Sequence, residues 1–210
     1  MKIYEGMNPN NTALMVIDPV NSCANEKCES SELGISFSKI REMLPKLNEF
    51  AKEYRKKIGG LVVSVRITPW RKDFLPDNLN ELYKDPKAEY YSEDKSGFDE
   101  QFYMYEPQDS DLLITKNTYD TFTSEELLKE LQSRGIKYIV MTGIFTDGCV
   151  LSSVINGFSK GYNFIILKDL VETVDSEQRQ RLQKLLLDLT FPKLYGRTVT
   201  SEEFLKDIYI

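Results

Sequence analysis

The 210 residues contain no histidine. Without imidazole, a Ser–His or Cys–His mechanism is excluded, because imidazole is the usual base in both. The common zinc sites are excluded with it, since nearly all use at least one imidazole unless four thiolates serve instead. If the chain is an enzyme, a carboxylate or an amine must move the protons. Cysteine is scarce as well: three residues, an odd number in a chain with no secretory signal, so no disulfide framework is expected. No run approaches the roughly 20 apolar residues of a membrane span. The first stretch, MKIYEGMNPNNTALMVID, has neither a sustained apolar run nor a small-residue cleavage site, so it does not read as a signal peptide. Formal net charge is -6, and no basic stretch is dense enough to track a phosphate backbone. The one basic run, 52–57 (KEYRKK), reads as a helix end, where cations complement the helix dipole. These absences predict a soluble cytoplasmic protein with a small-molecule partner, no nucleic acid and no membrane.

What is present is a single α/β domain over 1–210, with a hydrophobic share of 41% and length enough for a large core. Apolar runs at 13–17, 61–65, 112–115, 138–142 and 164–167, with a weaker one near 194–199, alternate with amphipathic stretches. The runs are apolar on successive residues, as in strands covered by helices on both faces. The expected fold is a three-layer αβα, doubly wound, with a parallel sheet of about six strands. Helices are predicted over 36–57, where Pro45 either kinks the helix or marks a late start, and after Ser124, which caps a stretch ending at Gly135. A third covers 150–160, stopped by Gly161. A fourth runs from a Ser176 cap to about Leu189, with Leu182, Leu185, Leu186 and Leu189 facing inward. The segment 68–108 is rich in Pro, Asp, Tyr and charge, with one short helix near 78–83. It reads as a long excursion over the C-terminal edge of the sheet, where open α/β sheets bind ligands.

Three residues stand at strand ends. Asp18 follows ALMVI, Lys116 ends DLLITK, and Cys149 lies in TGIFTDGCV where a helix begins. Singly they read as a turn cap, a solvated lysine and a small buried apolar residue. Together they lie on one side of a parallel sheet. A helix N-terminus and a nearby ammonium both lower a thiol's pKa. The carboxylate can accept the thiol proton and return it to a leaving amine, and the loop before Cys149 can aim N–H groups at an oxyanion.

In ALMVIDPVNSC, LLITKNTYDTF and GIFTDGCV the sequence resembles the isochorismatase-like cysteine hydrolases, which include nicotinamidases and N-carbamoylsarcosine amidases. The resemblance covers nearly the whole chain. It implies Asp18 as general base and acid, Lys116 as stabiliser of the thiolate and Cys149 as nucleophile. It also implies an oxyanion hole from the N–H groups of Phe145 and Cys149, a cis peptide at Ile144–Phe145, and a dimer or tetramer. Nicotinamidases carry a metal-binding Asp-x-His and a further His after the second strand. Here that region reads VSVRITPWRKDF, with Ile67 and Pro69 at about the positions of the Asp and first His, so no metal and no cofactor are expected. The first motif, usually Asp-Met-Gln-Asn-Asp-Phe, becomes Asp18-Pro19-Val20-Asn21-Ser22-Cys23, which changes the pocket. Cys23 and Cys28 read as two separate thiols ahead of a labile disulfide or a partial metal site. Arg66, with Arg71 behind it, is a candidate for binding a substrate carboxylate, and Trp70, Phe122, Phe145 and Cys23 for lining the pocket. The resulting expectation is a cysteine amidohydrolase acting on a small amide, carbamoyl or ureido compound. The alternatives are a non-catalytic binding or assembly member of the fold and an isochorismatase-type ether hydrolase.

Overall fold

The computed structural model describes residues 3–31, 34–67, 74–85, 88 and 101–208. Trp70, Arg71 and about half of the excursion therefore lie outside the described residues. Six strands form one sheet: β1 (Thr12–Ile17), β2 (Leu61–Ile67), β3 (Leu112–Lys116), β4 (Tyr138–Ile144), β5 (Asn163–Glu172) and β6 (Gly196–Val199). Every pairing is parallel and the order is β3-β2-β1-β4-β5-β6. The helices are α1 (Asn21–Ala24), α2 (Ser38–Lys57), α3 (Asp77–Leu82), α4 (Glu125–Ser133), α5 (Leu151–Ser159), α6 (Glu177–Leu185) and α7 (Ser201–Ile208).

Burial follows position in the sheet. All six residues of central β1 are buried, whereas edge strand β3 alternates and leaves Leu113 exposed. The period-2 alternation of side chains separates two faces. Thr12, Ser64, Arg66 and Thr115 share the face covered by α2: Tyr54 donates to Thr12 O at 3.2 Å, and Ser64 meets Asp111, which Arg55 grips. Phe204 of α7 packs on Tyr54 and Phe50 of the same helix. Ile67, Lys116 and Phe164 share the other face, where α5 lies. There Gly157 is obligatory, because a Cβ would come within 2.6 Å of Phe122 and Phe164.

Ser124 and Ser176 cap α4 and α6 through their hydroxyls, and Gly135 and Gly161 follow α4 and α5 at positive φ. The predicted helix at 36–57 begins at Ser38 and continues through Pro45. The position before it, Phe37, offers no side-chain cap. Asp175, after β5, takes that role, accepting from Ser38 N at 2.9 Å and Lys39 N at 3.3 Å. The predicted helix at 150–160 is α5, preceded by a wide helical turn at Thr146–Val150. The predicted inward stripe of the fourth helix needs correcting. Leu186 is buried, but Leu182, Leu185 and Leu189 are 43%, 56% and 54% exposed. Helical spacing shows that a face is apolar, not what it packs against.

Candidate active site

In this sheet order the chain turns back between β1 and β4, the crevice where doubly wound sheets bind ligands. Asp18 leaves β1 with φ at 52°, a left-handed conformation that costs a non-glycine residue about 1 kcal/mol. Its N–H is tied to Val65 O at 3.0 Å. Beside it Gly143 of β4 comes so close that a Cβ would sit 2.1 Å from Ile17 O. That glycine lets the two strand ends, and the loops beyond them, converge.

Lys116, at the end of β3, is aimed inward with its side chain only 1% exposed. Its Nζ lies 2.7 Å from Asp18 Oδ2, and donates to Cys149 Sγ at 3.3 Å and to Thr118 O at 3.0 Å. Both Asp18 oxygens are buried away from water, and the Lys116 ammonium, the Cys149 thiol and the Ile67 N–H all act on the carboxyl. The chain thus brings Asp18, Lys116 and Cys149 together from three segments about 130 residues apart in all.

Burial is the largest single influence on each of the three. It pushes the Asp18 carboxyl up, against the opposing pull of the Lys116 ammonium. It pushes the Cys149 thiol up too; Lys116 pulls it back, and the Asp18 carboxylate adds to the rise. Burial would lower Lys116, but Asp18 and Cys149 beside it more than reverse this, so the ammonium stays charged. The lowering predicted for the thiol pKa meets an opposing effect: desolvation of the buried sulfur exceeds the pull of the Lys116 ammonium. The resting arrangement is a neutral thiol next to a carboxylate made more basic by burial, which suits transfer of the proton from sulfur to oxygen.

Cys149 sits in the turn Thr146–Val150, anchored by Gly148 N and Val150 N donating to Phe145 O at 3.0 and 3.1 Å. The Ile144–Phe145 peptide is cis. The Phe145 ring is buried between Phe37, at 6.0 Å, and the Arg179 guanidinium, at 5.3 Å. Cys23, on α1, is buried close enough to Asp18 for that carboxylate to act on it. Burial first, and Asp18 second, push its thiol up to about 12. None of the three cysteines is joined in a disulfide.

Two predicted substrate contacts are corrected. Arg66 pairs with Thr115 rather than Lys116, so it falls on the α2 face, opposite α5, and its Nε donates to Thr115 Oγ1 at 3.1 Å. Phe122 is a core residue, packed on Tyr162 and Phe164 and over Gly157. Trp70 lies outside the described residues. Sequence reasoning missed Asp147, Arg179 and Tyr119. Asp147 shares a motif with Cys149, and Arg179 follows the Ser176 cap, but nothing local pairs them. The Tyr119 hydroxyl meets that of Tyr83 at 2.6 Å. Burial pushes its phenol up, and Cys149, Arg179 and Lys116 all act on it, so it borders the site. A cleft of about 260 Å³ adjoins Lys116 through Phe74, Thr115, Asn117, Thr123 and Ser124, on the outer flank of β3 and not at the thiol. Among the described residues no group of three or more Cys, Asp or Glu side chains is placed to hold a metal, and no helix is long and apolar enough to cross a membrane.

Comparison with known proteins agrees with this architecture. A cysteine hydrolase from Pseudomonas syringae pv. phaseolicola superposes with a TM-score of 0.79 at 18% identity, covering 100% of this chain and 97% of that one. An isochorismatase family protein from Burkholderia thailandensis gives 0.77 at 23%, covering 97% and 98%. At these identities the likeness bears on the fold. In sequence, the ureidoacrylate amidohydrolase RutB of Klebsiella pneumoniae is 26% identical over 174 residues, 77% of this chain and 73% of RutB. The isochorismatase family protein YwoC of Bacillus subtilis is 33% identical over 101 residues, 48% of this chain and about half (51%) of YwoC. The family model for the isochorismatase domain matches residues 12–202, and the chain belongs to the isochorismatase family of hydrolases.

Proposed function

We propose that this protein hydrolyses a C–N bond of a small amide, carbamoyl or ureido compound through a thioester on Cys149. The observation that carries this reading is the lysine bridge: one ammonium contacts both a buried carboxylate and a buried thiol. Cys149 Sγ attacks the carbonyl carbon as Asp18 takes the thiol proton. The new oxyanion is held by the N–H groups of Phe145 and Cys149. Asp18 then gives its proton to the nitrogen, the C–N bond breaks, and ammonia or an amine leaves. Water attacks the thioester with Asp18 again as base, and the proton returns to sulfur as the acid departs. Lys116 remains charged throughout and offsets the negative charge as it moves between oxygen and sulfur. RutB, by its name an amidohydrolase of a ureido compound, supports the C–N reading at low identity. The presence of a thiol at this position favours it over ether hydrolysis.

The test is ammonia release from a panel of ureido and carbamoyl acids by the wild type, Cys149→Ala and Asp18→Asn. Turnover by the wild type, lowered about 10³-fold or more in each variant, is expected. Undiminished turnover by Cys149→Ala would reject a thioester route. No turnover of any C–N substrate, with an unreactive thiol, would favour the binding-module alternative.

A further inference from the structure

We infer that Arg179, acting through Asp147, is a positioning residue for the turn that carries the nucleophile. This rests on the thioester reading above. Arg179 Nε and Nη2 donate to the two Asp147 oxygens at 2.7 and 2.8 Å, a forked pair. Asp147, with its side chain 4% exposed, stands two residues before Cys149. The same guanidinium lies over the ring of Phe145, four residues before Cys149. One cation therefore grips the turn at Phe145, whose own N–H is one of the expected oxyanion donors, and at Asp147, midway between Phe145 and Cys149.

The grip is reinforced from the end of β5. Thr173 Oγ1 donates to Asp147 Oδ1 at 2.5 Å. Thr146 Oγ1 donates to Gln183 Oε1 at 2.7 Å, and Gln183 Nε2 donates to Glu172 Oε1 at 2.7 Å. Glu172 Oε1 also accepts from Thr173 N at 2.8 Å and from Gln180 Nε2 at 3.0 Å. Residues 145, 146 and 147 are thus each held by a side chain of α6. Past the end of β4 no sheet ladder fixes this backbone, so the side-chain scaffold does. Oxyanion donors act only within about 2.7–3.1 Å of the developing charge, and a displacement of about 1 Å can lower a rate by about 10².

The experiment compares two reagents that attack the same sulfur. p-Nitrophenyl acetate acylates it through a tetrahedral oxyanion, forming the S–C bond and releasing nitrophenolate. Iodoacetamide alkylates it at a saturated carbon, releasing iodide with no oxyanion. Rates of Cys149 modification are followed by mass spectrometry in the wild type, Arg179→Met, Arg179→Lys and Asp147→Asn. Acylation is expected to fall about tenfold or more in Arg179→Met and Asp147→Asn, while alkylation stays within about twofold. Arg179→Lys keeps the charge without the fork and should fall between. Equal acylation in all four proteins, or acylation and alkylation changing in parallel, overturns the inference. A wild type that is alkylated but never acylated removes the thioester reading itself, and this one with it.

Discussion

The thiol of Cys149 has two charged neighbours of opposite sign, and each can be removed separately. Lys116 draws the thiol's pKa down, while burial and the Asp18 carboxylate push it up. Lys116→Met should move the alkylation profile of Cys149 to higher pH. Asp18→Asn should move it to lower pH, because the ammonium then faces the sulfur uncompensated. Thiolate reactivity and turnover are thus expected to part company: Asp18→Asn gains the first and loses the second. Alkylation rates by mass spectrometry from pH 6 to 10 read both shifts, and equal profiles would mean the three groups are not coupled. The convergence of these residues was legible in the sequence, because a residue just past a parallel strand lies on the same side of the sheet as every other such residue. The opposing effect on the thiol was not, because the lysine is visible locally while the burial that exceeds its pull depends on the whole fold. The face of Arg66 was not read from the sequence. In a strand, one position separates the face of Lys116 from the opposite face.

The start of α2 depends on a residue 137 positions away, which is why the sequence placed it two residues early. Asp175 accepts from Ser38 Oγ, Ser36 Oγ and the first helical N–H groups. Burial would raise its carboxyl, but these hydrogen bonds outweigh it and hold the pKa below the usual carboxylate value. A carboxyl depressed in the folded state stabilises above its unfolded pKa of about 3.9, and that stability is lost as pH falls through the folded value. Asp175→Asn should therefore lower stability by about 1 kcal/mol at pH 7, the difference between hydrogen bonds to a charged and to a neutral acceptor. The difference should shrink below about pH 4, where the wild-type carboxyl also becomes protonated. Denaturant unfolding of both proteins at pH 7 and pH 3 measures it, and a gap that stays constant would show that the charge is not what caps the helix. Ser124 and Ser176, by contrast, were found from sequence because their helices follow immediately.

Across the whole molecule, successive apolar runs separated by helical patterns were enough to predict a covered parallel sheet, and the order β3-β2-β1-β4-β5-β6 puts the crevice between the strands that lead to Asp18 and Cys149. The same periodicity could not show that one helical face is left open. Leu185, Leu189 and Leu194 are more than half exposed, with Leu182 beside them. Phe158, 45% exposed, joins this surface through its edge contact with Tyr195 at 5.5 Å. Monomeric proteins rarely expose contiguous apolar patches above roughly a few hundred Å². We propose a second copy of the chain as the occupant. Along α6 and the turn after it, Arg181 pairs with Glu177 and Lys184 with Asp188, so both signs flank the leucines. An antiparallel copy about a two-fold axis would set each cation near the other copy's carboxylates, although each copy carries a net charge of -6. Sedimentation velocity at micromolar concentration is expected to show a dimer or tetramer. The double variant Leu185→Glu, Leu189→Glu should sediment as a monomer with alkylation of Cys149 unchanged, because neither leucine touches the site. A wild type that sediments as a monomer at every concentration would reject the pairing.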